Sequence, residues 1–134
     1  MPKKYINPNS LFPSAKFGFS QIVTTQGGKT VYLSGQVPFD AEEKLIGTNR
    51  REQMQQCLRN VKTAIKEVGG LLEDVVLLRI YMVNYDADTE GETVTEVIKE
   101  FFNSDRLPAT TWIGISALAV KDFLVEIEAI AVIE

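Results

Sequence analysis

Histidine is missing from the chain altogether. That absence excludes serine–histidine–aspartate and cysteine–histidine nucleophile systems, and zinc sites built on imidazole. Proton transfer must then fall to carboxylates, lysine, tyrosine, Cys57 or water. Cys57 is the single cysteine, so no intrachain disulfide and no cysteine metal cluster can form; its place in the sequence reads as helix core or rim. No apolar stretch reaches the length of a membrane span and the N-terminal residues form no apolar signal region, so a cytoplasmic protein without a membrane partner is expected. A glycine–lysine phosphate loop is also lacking, which leaves nucleotide hydrolysis unsupported. Basic residues are few and scattered: 14 against 18 acidic, a net charge of −4, with pairs such as Lys3–Lys4 and Arg50–Arg51. No stripe exists to follow a phosphate backbone, and nucleic acid is not an expected partner.

What is present is an ordinary globular composition, 45% hydrophobic and 24% charged over 134 residues, and residues 1–134 read as one domain. Two β-rich runs, Phe19–Thr25 and Thr30–Val37, flank Gln26-Gly27-Gly28-Lys29 and predict a hairpin, with a further strand near Lys4–Ile6 joining the same sheet. From Asn49 to Val68, apolar residues Met54, Leu58, Val61, Ile65 and Val68 recur at helical spacing behind an Asn49/Glu52 capping box and ahead of Gly69-Gly70. A strand over Val75–Val83 follows. A second helix is expected from a Thr89/Glu92 capping box, turning Val94, Val97, Ile98, Phe101 and Phe102 inward and ending before Pro108. Strands over Thr110–Ser116 and Leu124–Ile133 close the chain.

The expected fold is α+β, one mixed sheet with two helices on one face. Val75–Val83 and Leu124–Ile133 are apolar at nearly every position, the pattern of strands covered on both faces. No element remains to cover the far face, so further copies of the chain are the economical cover.

Charged residues inside those strands are the candidates for chemistry. Glu126 and Glu128 point to one face of an otherwise apolar run. They suit either a wet subunit boundary or, for Glu126, the base of a ligand cleft. Arg79 interrupts the other run; a guanidinium cannot be neutralised, so it reads as a salt bridge to Glu126 or Glu128, or as an anion contact. Ser34-Gly35-Gln36 permits close approach of a ligand or backbone at Gly35 and offers the Ser34 hydroxyl. Pro108-Ala109-Thr110-Thr111-Trp112 adds two hydroxyls beside a large aromatic, though such a segment by itself is a strand start with a packed tryptophan.

Taken together these segments resemble the RidA-like family, also known as YjgF-like or endoribonuclease L-PSP. The resemblance is carried by Gly18-Phe19-Ser20-Gln21, Tyr32-Leu33-Ser34-Gly35-Gln36-Val37-Pro38, Asn60-Val61-Lys62, Leu72-Glu73-Asp74-Val75-Val76, Phe101-Phe102, Leu107-Pro108-Ala109-Thr110-Thr111, and Val125-Glu126-Ile127-Glu128-Ala129-Ile130-Ala131-Val132. It implies a chorismate-mutase-like fold, a homotrimer formed through the face without helices, and ligand clefts between subunits. It also implies hydrolysis of enamines and imines with no metal and no cofactor. Carried over residue by residue, the family's cleft tyrosine falls on Phe19, its serine on Ser34, its asparagine on Thr95, its glutamate on Glu126 and its cysteine on Trp112. The arginine that grips the substrate carboxylate falls on Thr110. A threonine offers one neutral hydrogen bond in place of a bidentate ionic one, so standard 2-imino-acid deamination is not expected. Three functions stay open: hydrolysis of a reactive imine lacking that carboxylate, non-catalytic binding of a small molecule or protein, and RNA cleavage, against which the acidic balance stands.

Overall fold

The computed structural model describes residues 3–134. Six strands and two α-helices succeed one another as β1 (Lys4–Ile6), β2 (Ile22–Thr24), β3 (Lys29–Gln36), α1 (Arg50–Glu67), β4 (Val75–Val83), α2 (Ala87–Phe101), β5 (Ala109–Ile115) and β6 (Val125–Ile133). The main sheet is mixed and runs β3-β6-β4-β5, with β4 and β5 parallel and the other neighbours antiparallel.

The expected β2/β3 hairpin does not form. β2 pairs with β1 in a separate two-stranded sheet, Tyr5 opposite Val23, while β3 pairs with β6, Tyr32 opposite Ile130. Gly27 and Gly28 do reverse the chain at positive φ (74° and 81°). The turn is pressed on the end of β6, however, where a Cβ on Gly28 would stand 2.8 Å from the Ile133 carbonyl oxygen. The two arms therefore diverge to different partners. Phe19 lies outside β2, after a single 3₁₀ turn at Ser14–Phe17 and a left-handed Gly18.

Helix α1 begins where expected. Asn49 accepts from the Glu52 amide at 2.9 Å, and the Glu52 carboxylate reaches back to the Thr48 amide, not to that of Asn49, so the capping box is displaced by one residue. Met54, Cys57, Leu58, Val61 and Ile65 are buried. Val68 is the C-cap and 40% exposed, not a core position. Helix α2 starts earlier than Thr89: Asp86 caps it by accepting from the Asp88 amide at 3.0 Å, because its short carboxylate lies one turn nearer the strand it follows.

The helices cover one face of the main sheet. Leu78, Ile80 and Met82 of β4 and Val125, Ile127, Ala129 and Ala131 of β6 are buried there with α1 and α2, each fully buried large aliphatic contributing about 1.5–3 kcal/mol. The alternate residues Leu77, Arg79, Tyr81, Glu126, Glu128 and Ile130 are half-buried or exposed, and Tyr32 beside Ile130 is 76% exposed. Among the described residues no helix is long and apolar enough to cross a membrane.

Candidate functional site

Glu126 lies on the open face, opposite Tyr81 of β4. The ladder between β3 and β6 slips between Leu33 and Gln36, at Ser34 and Gly35. A Cβ on Gly35 would overlap the Glu126 carboxylate, so the close approach permitted by this glycine is that of the acid itself. Burial, then the neighbouring Glu128 charge, pushes the Glu126 carboxyl above its ordinary range. Glu128 accepts a hydrogen bond from the Tyr81 hydroxyl, and that bond is the main cause of a raised tyrosine pKa. Ser34 is exposed.

Arg79 departs from expectation. It stands opposite Glu128 in the ladder, yet its side chain is exposed and makes no salt bridge to Glu126 or Glu128 among the described residues. The open face leaves it in water, which removes the need for a partner. The buried guanidinium is instead that of Arg50, 4% exposed. It donates to the carbonyls of Leu124 and Val83 (2.8 Å for Val83) and to the Glu90 carboxylate at 3.1 Å, with the Tyr85 ring 5.6 Å from its centre. Burial pushes Glu90 upward, but hydrogen bonds from Arg50 and from the Asp86 amide, with the Arg50 charge, outweigh it and hold Glu90 below its ordinary range. In the sequence Arg50 stands only as half of a basic pair with Arg51; the tertiary convergence of three element ends reveals its role.

The other family positions gather on the helix side of β5. Thr110 and Trp112 pair with Leu78 and Ile80 and so share their face, while Thr111, paired with Arg79, points to the open one. Thr110 donates its hydroxyl to the Pro108 carbonyl at 3.1 Å. Trp112 meets Phe19 edge-on at 6.4 Å, and its Nε1–H is buried without an acceptor. Trp112 and Thr95 line an open cavity of about 900 Å³ together with Lys16, Phe17, Tyr85, Glu92 and Glu96. Phe17 and Tyr85 carry no signal in the sequence because Phe17 ends a single 3₁₀ turn and Tyr85 lies in the loop between β4 and α2. Cys57 is no nucleophile: burial pushes its thiol far up, and it sits against the Val125 carbonyl. No three aspartate, glutamate or cysteine side chains among the described residues converge to hold a metal.

Residues 10–133 match the family model described as endoribonuclease L-PSP. The chain belongs to this family. Its relatives include a 2-iminobutanoate/2-iminopropanoate deaminase of Dermatophagoides farinae, 36% identical over 99% of this chain and 98% of that one. A RutC family protein of Pyrococcus abyssi is 32% identical over 78% of this chain and 79% of its own. Among solved structures, a Rid-family protein of unknown function from Yersinia pestis superposes with a TM-score of 0.94 at 36% identity, covering 99% and 100% of the two chains. RidA from a Psychrobacter species does so at 0.71 and 31%, covering 86% and 88%. Two helices on a mixed sheet are thus the RidA-type fold. Within this L-PSP family member the site positions divide by face: Ser34, Gly35 and Glu126 lie on the open side, and Phe19, Thr95, Thr110 and Trp112 on the helix side.

Proposed function

We propose that residues 1–134 act as one unit in a cytoplasmic homotrimer, whose clefts bind a small molecule and add water to a carbon–nitrogen double bond. The division of the site between two faces carries this reading. Neither group can close on a ligand within one chain, but Ser34, Gly35 and Glu126 on the open face of one subunit can meet Phe19, Thr95, Thr110 and Trp112 of a neighbour if that face packs against the β5 edge of the next copy. The exposed Tyr32 and half-buried Leu77 and Ile130 supply apolar area for such packing. Glu126, raised by burial toward neutrality, suits a group that takes and returns a proton. As the water oxygen bonds to the imine carbon, one of its protons passes to Glu126 and on to the nitrogen; the proton of the resulting hydroxyl then follows by way of Glu126 to the amine as the carbon–nitrogen bond breaks, ammonia leaves and a carbonyl remains.

The relative named as a 2-iminobutanoate/2-iminopropanoate deaminase supports the imine chemistry at the level of the family. Thr110, with its hydroxyl spent on Pro108, argues against 2-imino acids as the preferred substrates. Losing a charge-assisted bidentate contact costs about 2–5 kcal/mol, or roughly 30- to several-thousand-fold in rate. The test is ammonia release from imines generated in situ, with and without a carboxylate, by the wild-type protein and Glu126→Gln. Turnover of carboxylate-free imines that Glu126→Gln loses supports the proposal. Turnover of 2-iminopropanoate at rates equal to those of carboxylate-free imines overturns the reading of Thr110. Saturable binding without product leaves a binding module, the second reading.

A further inference from the structure

The cavity beside β5 has a composition that the reaction alone does not require. Its walls include the rings of Phe17, Tyr85 and Trp112, and Phe17 continues through Phe12 and Phe19 back to Trp112 in edge-to-face contacts of 6.2–6.4 Å. Such a chain of rings holds the wall in shape and presents apolar faces to a flat guest. Trp112 offers this wall its ring and not its donor, for Nε1–H is buried.

The charges point the same way. The carboxylates of Glu92 and Glu96 line the cavity against one cation, Lys16, whose ammonium rests 5.2 Å from the centre of the Phe17 ring. Glu96 is paired with Arg51. Lys16 is exposed, so an anion would gain little from it in water. A carboxylate entering here would meet like charge from Glu92.

We infer that this cavity takes an uncharged ligand with an aromatic body, its ring against Phe17 and Trp112. The inference rests on the cleft reading for its location, and it names the substrate class as aromatic, carboxylate-free imines and their carbonyl products. A small aliphatic 2-imino acid would leave the rings unused.

Binding tests this apart from turnover. Benzamide, benzoate and isobutyramide are titrated into the full-length protein by calorimetry, with the emission of Trp112, the single tryptophan, as a second readout. Benzamide is expected to bind saturably and shift that emission, with benzoate and isobutyramide each about tenfold weaker or more. Trp112→Ala, which removes the ring, should weaken benzamide about tenfold or more by calorimetry while leaving the isobutyramide heat unchanged. Lys16→Met should leave benzamide binding intact. No saturable benzamide binding by the wild-type protein overturns the inference, as does isobutyramide binding equally well. Benzoate binding as tightly as benzamide, and failing in Lys16→Met, overturns it in favour of Lys16 as an anion grip. If benzamide binds as expected but no imine is hydrolysed, the catalytic reading fails and the binding site stands.

Discussion

The two faces of the main sheet solve the problem of charge in opposite ways. On the covered side the guanidinium of Arg50 is buried and bonded through both terminal nitrogens, tying the start of α1 to the end of β4, the start of β6 and the first turn of α2. On the open side Arg79, Glu126 and Glu128 sit in the middle of apolar strands, with Arg79 in water and Glu128 bonded, among the described residues, only to Tyr81. A charge under the helices is a clamp because water cannot serve it; a charge on the open face needs no partner within the chain. It is therefore available to whatever covers that face.

The largest expected effect separates the two arginines. Arg50→Met strands two carbonyls and the Glu90 carboxylate and should destabilise the fold by about 3 kcal/mol or more. Arg79→Met should change stability by no more than about 0.5 kcal/mol. Urea unfolding of both variants at one protein concentration measures this. The opposite ranking would break the contrast between the faces. A loss at Arg79 that grows on dilution would sharpen it, by locating that side chain in a subunit contact.

Much of this architecture is legible in the sequence, and the failures have a common cause. Helical periodicity and the caps around Asn49 and Gly69 reflect local physics, and α1 appears within a residue of its expected bounds. Strand identity is likewise local, and β4 spans the Val75–Val83 expected. Pairing is not local. Gly27-Gly28 specifies a reversal but cannot say that β3 will prefer β6 to β2. The same holds for the two arginines: Arg79 looks buried because its strand neighbours are apolar, and Arg50, opening a helix beside Arg51, shows no sign of enclosure. Which one is enclosed depends on where the other elements end. Glu126 and Gly35 are both visible as anomalies in the sequence, whereas their contact needs the slip in the β3/β6 ladder. Phe17 and Tyr85 carry no periodic signal at all.

The next effect concerns that contact. Gly35→Ala places a methyl group where the Glu126 carboxylate lies. Since the obstacle is the far end of a flexible side chain, the acid should swing aside, and the stability loss should stay below about 1 kcal/mol, less than the usual cost of overpacking. Turnover should suffer far more, by roughly a hundredfold for a displacement near 1 Å. Parallel measurement of melting temperature and ammonia release checks this. Turnover that survives unchanged would mean that the position of Glu126 on the open face does not matter to the chemistry.

The smallest effect is on stability and has a definite sign. Burial and the charge of Glu128 raise the Glu126 carboxyl in the folded chain, so the folded state binds its proton more readily than the unfolded one. A group of that kind costs stability when ionised, and the cost disappears as pH falls through the folded pKa toward the ordinary carboxylate value of about 4.3. Glu126→Gln, which keeps the shape of the protonated acid, should therefore stabilise the protein at neutral pH by about 0.5–1 kcal/mol, the partial exposure of the site limiting the gain. That advantage should vanish in acid, where the wild-type side chain is itself neutral. Melting curves of both proteins from neutral to acidic pH measure it. An advantage that persists unchanged at low pH would mean that the gain comes from packing and not from charge. A loss at neutral pH would mean that the ionised carboxylate has a partner on the open face, as a neighbouring subunit could provide. A stabilised but inactive Glu126→Gln is the outcome that fits a strained acid kept for its chemistry.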